Sequence, residues 1–149
     1  MDRKMTFAGK LLRINLRNSS SQEEEIPDQH YRKFIAARGL SAKYLYDELP
    51  PHIDPLGPEN KLIMSMGVLG GTGLQGFSKW AVTCKSPLTG TIFRSITGGN
   101  FGPWLKYAGY DLLILEGKAE KPTYVHIDGD GIHFMGANDL LGLDPVSYT

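Results

Sequence analysis

Cysteine is almost missing from this sequence: the 149 residues include one, Cys84. A lone thiol excludes an intramolecular disulfide and cannot by itself hold an iron–sulfur cluster, which takes about four thiolates. Any such cluster has to be supplied by another chain. Net charge is missing as well, since 16 basic residues balance 16 acidic ones. No global field is left to hold a nucleic-acid backbone or an anionic membrane surface, so neither is expected as a partner. Nowhere do the roughly eighteen apolar residues of a membrane span run together. Met1-Asp2-Arg3-Lys4 leads into no long apolar region, so no signal peptide is read there and a soluble, cytoplasmic protein is expected.

What is present is 41% hydrophobic residues with ordinary glycine and proline usage, enough for one core, and a single domain over 1–149 is the expectation. Residues 7 to 16 alternate, with Leu12, Ile14 and Leu16 on one side and Arg13 and Asn15 on the other, which predicts a half-buried strand. The polar run from Asn18 through Glu25 reads as a solvated connection. Asp28 is suited to cap a helix carrying Tyr31, Phe34 and Ile35, stopped by Gly39. A second helix follows from about Ser41 until Pro50-Pro51 ends it. Lys61 to Met66 reads as a buried strand, and 67–76 is too glycine-rich for anything but a loop. Ser78 to Cys84 alternates as a strand whose apolar face carries Trp80, Val82 and Cys84.

Thr91 to Ile96 predicts a short strand, and Gly98-Gly99 a loop leading into a short helix near Pro103 to Tyr107. The apolar run Asp111 to Glu116 should be central. A tight turn at Gly129-Asp130 predicts a hairpin that pairs Ile127 with Ile132 and Val125 with Phe134, and sets His126 opposite His133 on the other face. About seven strands and three short helices, with strands often adjacent in sequence, fit an α+β fold better than a doubly wound sheet.

Several motifs invite chemistry. Gly71-Thr72-Gly73-Leu74-Gln75-Gly76 matches the dinucleotide-binding pattern, but a strand rather than a helix is predicted after it and no acidic residue follows at about twenty positions. Asp128-Gly129-Asp130-Gly131 resembles the start of a calcium loop, yet the closing position falls on Asp139 in place of Glu, without flanking helices. His126 and His133 lack a third metal ligand in sequence and read as surface residues. Cys84 reads as a small buried hydrophobe. The two glycine loops would let main-chain groups approach a large flat polar ligand, with Lys79 and Arg94 as nearby cations for its phosphates. From spacing alone, tight turns account for the same glycines.

The wording of the sequence is more specific than its spacing. Ala37-Arg38-Gly39-Leu40, Asp54-Pro55-Leu56-Gly57-Pro58-Glu59-Asn60-Lys61, Lys85-Ser86-Pro87-Leu88-Thr89-Gly90, Gly98-Gly99-Asn100-Phe101-Gly102, Leu105-Lys106-Tyr107-Ala108-Gly109-Tyr110-Asp111 and Glu116-Gly117-Lys118-Ala119 occur in this order. Together, from about Phe7 to Leu143, they closely resemble the N-terminal domain of aldehyde:ferredoxin oxidoreductases. The resemblance implies mostly antiparallel β-sheets forming a base beneath a tungsten or molybdenum bis-pterin cofactor. It also implies oxidation of aldehydes to carboxylates, with electrons passed through a 4Fe-4S cluster to ferredoxin.

The cluster and the catalytic residues of that family lie in later domains, so the remaining enzyme domains or a larger subunit are expected partners. By position, Lys79 stands where the family has a pterin-contacting Arg, and Gly98 is the first glycine of its Gly-Gly loop, so Lys79, Thr97, Gly98 and Gly99 are the expected cofactor contacts. Ile96 replaces a family Asn and offers no side-chain hydrogen bond. The family's domain runs further than residue 149, so an incomplete domain is expected, with exposed apolar surface and a homodimer as consequences. The rival reading is a non-catalytic assembly or interaction module that kept the fold and lost the site.

Overall fold

The computed structural model describes residues 6–144. Strand β1 (Lys10–Asn15) turns back into β2 (Ser20–Glu25), and α1 (Asp28–Phe34) and α2 (Arg38–Glu48) follow. Then come β3 (Lys61–Met66), β4 (Trp80–Lys85), β5 (Ile92–Thr97), α3 (Phe101–Tyr107), β6 (Leu112–Glu116) and the hairpin β7 (Thr123–Asp128) and β8 (Gly131–Gly136). Six strands make one sheet in the order β2-β1-β6-β3-β4-β5, and β7 and β8 make a separate pair. Every contact within the large sheet is antiparallel except that of β1 with β6. The architecture is α+β, as the adjacency of strands in the sequence predicts.

Both faces of the sheet are covered. On one, Leu11, Ile63, Leu112 and Ile114 pack with Tyr31 of α1 and Leu40, Tyr44 and Leu45 of α2. On the other, Leu12, Ile14 and Leu113 meet Leu105 and Tyr110, and Val125, Ile127, Ile132 and Phe134 of the hairpin close over them. Period two explains the split, because successive residues of β1 and β6 serve opposite cores. The half-buried strand expected at 7–16 is therefore buried on both sides. Arg13 is not solvated: its guanidinium, on the helical face, meets Glu24, Glu48 and Glu116, and Lys61 reaches the last two.

The polar run expected to be a solvated connection is β2, an edge strand whose residues are exposed apart from the half-buried Glu24, and whose backbone pairs with β1. Sequence polarity misleads there because an edge strand needs no apolar face of its own. Eight strands are therefore present among the described residues, against about seven expected. Asp28 is the first helical residue rather than a cap, since Pro27 holds the cap position. Gly39 does not stop α1. Ile35 and Ala37 take positive φ between the helices, and Gly39 lies inside α2, which begins at Arg38 rather than Ser41. A Cβ on Gly39 would overlap the carbonyl oxygen of Phe34, so this glycine serves the close packing of the helix corner. The hairpin register is the one predicted, with Ile127↔Ile132, Val125↔Phe134 and His126↔His133.

Candidate functional site

Three of the four expected cofactor contacts gather at one end of the β4–β5 ladder by simple register, and the fourth follows next in sequence. Trp80 pairs with Thr97, the last rung at that end. One step beyond, Lys79 and Gly98 lie just outside the two strands. The indole N–H of Trp80 donates to the carbonyl of Gly98 at 3.0 Å, and its ring packs on Phe101 with centroids 4.5 Å apart. The turn into α3 is thereby pinned to the start of β4. Gly102 completes this corner: a Cβ there would come within 2.9 Å of the Trp80 Cβ and would also overlap the Met66 sulfur. Gly99 has φ +92°, and nothing lies within 4 Å of where its Cβ would be. Its backbone is open to a ligand.

The other glycine loop borders the same corner. Gly67, Val68, Leu69 and Gly70, together with Gly76, Phe77 and Lys79, line a cleft of about 380 Å³. Lys79, Thr97, Gly98 and Gly99 are all exposed. One exposed cation beside glycine backbone suits an anionic ligand that is recognised largely through main-chain groups. Two roomier hollows, of about 570 and 700 Å³, lie elsewhere and include none of these residues.

Not every expected site residue is brought here. Arg94 pairs with Thr83, three rungs in from the Trp80–Thr97 end of the ladder. It is no companion to Lys79. Ile96 pairs with Ala81. The apolar face of β4 is also the reverse of the expected one: Ala81 and Thr83 are buried, whereas Trp80, Val82 and Cys84 are half-buried. Trp80 looks inward in a polarity pattern, but its bulk belongs to the site corner. Cys84 is a half-buried thiol that burial pushes up in pKa, so it stays protonated and is a poor nucleophile or metal ligand.

Gly71, Gly73 and Gly76 have positive φ, and a strand, not a helix, follows them. His126 and His133 are exposed, each 3.4 Å from Asp128. Among the described residues no group of three or more His, Cys, Asp or Glu is placed to hold a metal ion. No helix among them is long and apolar enough to cross a membrane.

Sequence reasoning missed two residues that shape the corner. Trp80 reads only as part of the apolar face of a strand, and Lys106, given no role of its own, has a side chain that is 8% exposed. The signal for the second is local: a lysine between Leu105 and Tyr107, with an acid at Asp111 just before the most apolar strand.

Comparison with known proteins puts a family to this geometry. A tungsten-containing aldehyde ferredoxin oxidoreductase of Pyrococcus furiosus is 42% identical over 134 residues, covering 90% of this chain and 22% of that protein. The WOR-like subunit of an aliphatic sulfonate oxidoreductase from the same organism is 34% identical over 143 residues, covering 94% and 23%. Among solved structures, the active site complex BamBC of benzoyl coenzyme A reductase, in complex with 1,5-dienoyl-CoA, superposes with a TM-score of 0.92 at 32% identity, over 95% of this chain and 22% of that one. The chain thus spans about a fifth of the length of these relatives. The aldehyde ferredoxin oxidoreductase N-terminal domain is matched over residues 11–149, and the chain belongs to that family.

Proposed function

We propose that this chain is the pterin-cofactor-binding base of an aldehyde:ferredoxin oxidoreductase-like enzyme and is inactive on its own. The observation that carries the reading is that Lys79 immediately precedes Trp80, which pairs with Thr97 and bonds Gly98, so the lysine and the Gly98-Gly99 backbone flank one open end of the β4–β5 ladder. Its wider support is that relatives named for aldehydes and for aliphatic sulfonates share this segment. What such proteins have in common over it is not the substrate, and a common cofactor is the simplest shared ligand.

In this reading the tungsten or molybdenum bis-pterin supplies the two-electron chemistry. The ammonium of Lys79 meets a phosphate of the cofactor, and the Thr97 hydroxyl and the main-chain groups of Gly98 and Gly99 meet its polar edges. None of these residues moves a proton or forms a bond to substrate. Ile96 offers no side-chain hydrogen bond to the contact. The 4Fe-4S cluster, the ferredoxin contact and the catalytic groups belong to the other enzyme domains or to a larger subunit.

The test is the metal and pterin content of the chain purified without oxygen, alone and after co-expression with the remaining enzyme domains. Cofactor present only in the complex supports the reading. A stable complex without metal or pterin overturns it in favour of an assembly module that kept the fold.

A further inference from the structure

One buried ammonium holds the floor of the Lys79 cleft from beneath. Lys106, on α3, donates through Nζ to the carbonyl oxygens of Val68 at 2.9 Å, Gly67 at 3.2 Å and Thr6 at 2.5 Å. The carboxylate of Asp111 lies 3.5 Å away, and the two side chains are 8% and 2% exposed. Asp111 is itself fixed, because its other oxygen accepts from the Tyr31 hydroxyl at 2.6 Å and from the Gly9 N–H at 2.8 Å. A line of polar contacts therefore runs from α1, through the residue before β6, to α3 and into the glycine loop.

Burying an ammonium is costly unless it is paired and hydrogen-bonded. Here all its protons are taken by main-chain oxygens, and the one carboxylate at hand neutralises it. The effect falls on the loop. In a trans peptide the C=O of one residue and the N–H of the next point in opposite directions. With the Gly67 and Val68 carbonyls turned onto Lys106, the N–H groups of Val68 and Leu69 are turned away from it. Among the described residues neither amide donates to a backbone carbonyl. Two adjacent amides facing alike are a seat for an anionic group, and Lys79 lines the same cleft.

We infer that Lys106 is a positioning residue: its contacts with the Gly67 and Val68 carbonyls set the glycine loop so that the Val68 and Leu69 amides face an anionic group of the ligand beside Lys79. The part of this that concerns the ligand rests on the cofactor reading above; the part that concerns the loop does not. Lys106→Met keeps the apolar stem and removes the ammonium, and Lys106→Met with Asp111→Asn also removes the carboxylate left without its partner.

The test is amide hydrogen exchange on the full chain, together with cofactor content in the complex with the remaining domains. In the variants the Gly70 amide, which donates to the Gly67 carbonyl, is expected to exchange at least tenfold faster while those of β3 and β6 keep their protection, and retained cofactor falls about tenfold. Unchanged exchange at Gly70 of a folded variant overturns the positioning role. So does loss of the whole fold in both variants, which would make Lys106 a core residue and nothing more. If the unmodified complex holds no cofactor, the cofactor reading fails, and the exchange result still decides whether Lys106 sets the loop.

Discussion

The indole of Trp80 and the carbonyl of Gly98 are joined by a 3.0 Å hydrogen bond across the open end of the β4–β5 ladder. Beside it, the turn into α3 is held by the packing of Trp80 on Phe101 and against Gly102. Trp80→Phe keeps an aromatic ring and deletes the donor. The expected result is a loss of about 1 kcal/mol in urea unfolding, with faster amide exchange at Gly99 and Asn100. An unchanged midpoint and unchanged exchange would mean that the bond contributes nothing.

Lys79 offers a point charge where a forked guanidinium suits phosphate better. In the complex with the remaining enzyme domains, Lys79→Ala is expected to lower retained cofactor about tenfold, the equivalent of one charge-assisted hydrogen bond. Lys79→Arg is expected to raise retention above that of the natural lysine. Metal and pterin analysis of the three purified complexes checks both directions, and equal content in all three would remove Lys79 from the site.

The carboxylates beside Arg13 make stability depend on acid. Burial pushes Glu48 up, but hydrogen bonds from Arg13 and Lys61 outweigh it and hold the carboxyl below its ordinary 4.5. Glu116 is lowered in the same way, chiefly against burial by Lys61. A depressed folded pKa stabilises the fold above the unfolded value and loses that contribution as pH falls through the folded one. Thermal stability should therefore hold down to about pH 4.5 and fall below it. Glu48→Gln should cost about 2 kcal/mol at neutral pH and flatten the acid limb. Melting curves between pH 7 and 3 measure both effects, and parallel limbs for the two proteins would contradict this account.

The two edges of the large sheet differ in kind. β2 carries glutamates outward, a common guard against self-pairing. β5 instead leaves Ile92, Phe93 and Ile96 about half exposed, at 45%, 52% and 48%. Purified without the other domains, the chain is expected to self-associate through β5. Ile92→Lys with Ile96→Lys should return a monomer in light scattering at high concentration. Association that persists unchanged in that variant would place the contact elsewhere.

How much of this could be read in the sequence follows from how local each feature is. The β7–β8 register was legible because a two-residue turn and strict alternation fix it without reference to the rest of the chain. Leu112 to Ile114 announced a central strand because they are apolar on both sides. β2 was not legible, since its residues are polar and only β1 makes them a strand. The face of β4 was misread because Trp80, Val82 and Cys84 look more apolar than Ala81 and Thr83, yet α2 lies over the smaller pair. Lys79, Thr97 and the Gly98-Gly99 loop could be named from resemblance. That they share one end of a ladder depends on pairing between strands that no local pattern reveals, and so does the separation of Arg94 from them.

The parallel contact of β1 with β6 also sets the order in which the molecule can be made. Arg13 and Glu116 touch across 103 positions of chain, and β1 otherwise has only β2 beside it. During synthesis the first strand leaves the ribosome well before the strand that completes its surroundings. Until Glu116 has emerged, Leu11, Leu12 and Ile14 lack one of the two neighbours that bury them. Contacts of such long range are slow to form, so the nascent chain carries β1 half finished until about a hundred further residues have been made. Its success in the cell is then governed as much by what shields that strand in the interval as by the stability of the finished sheet.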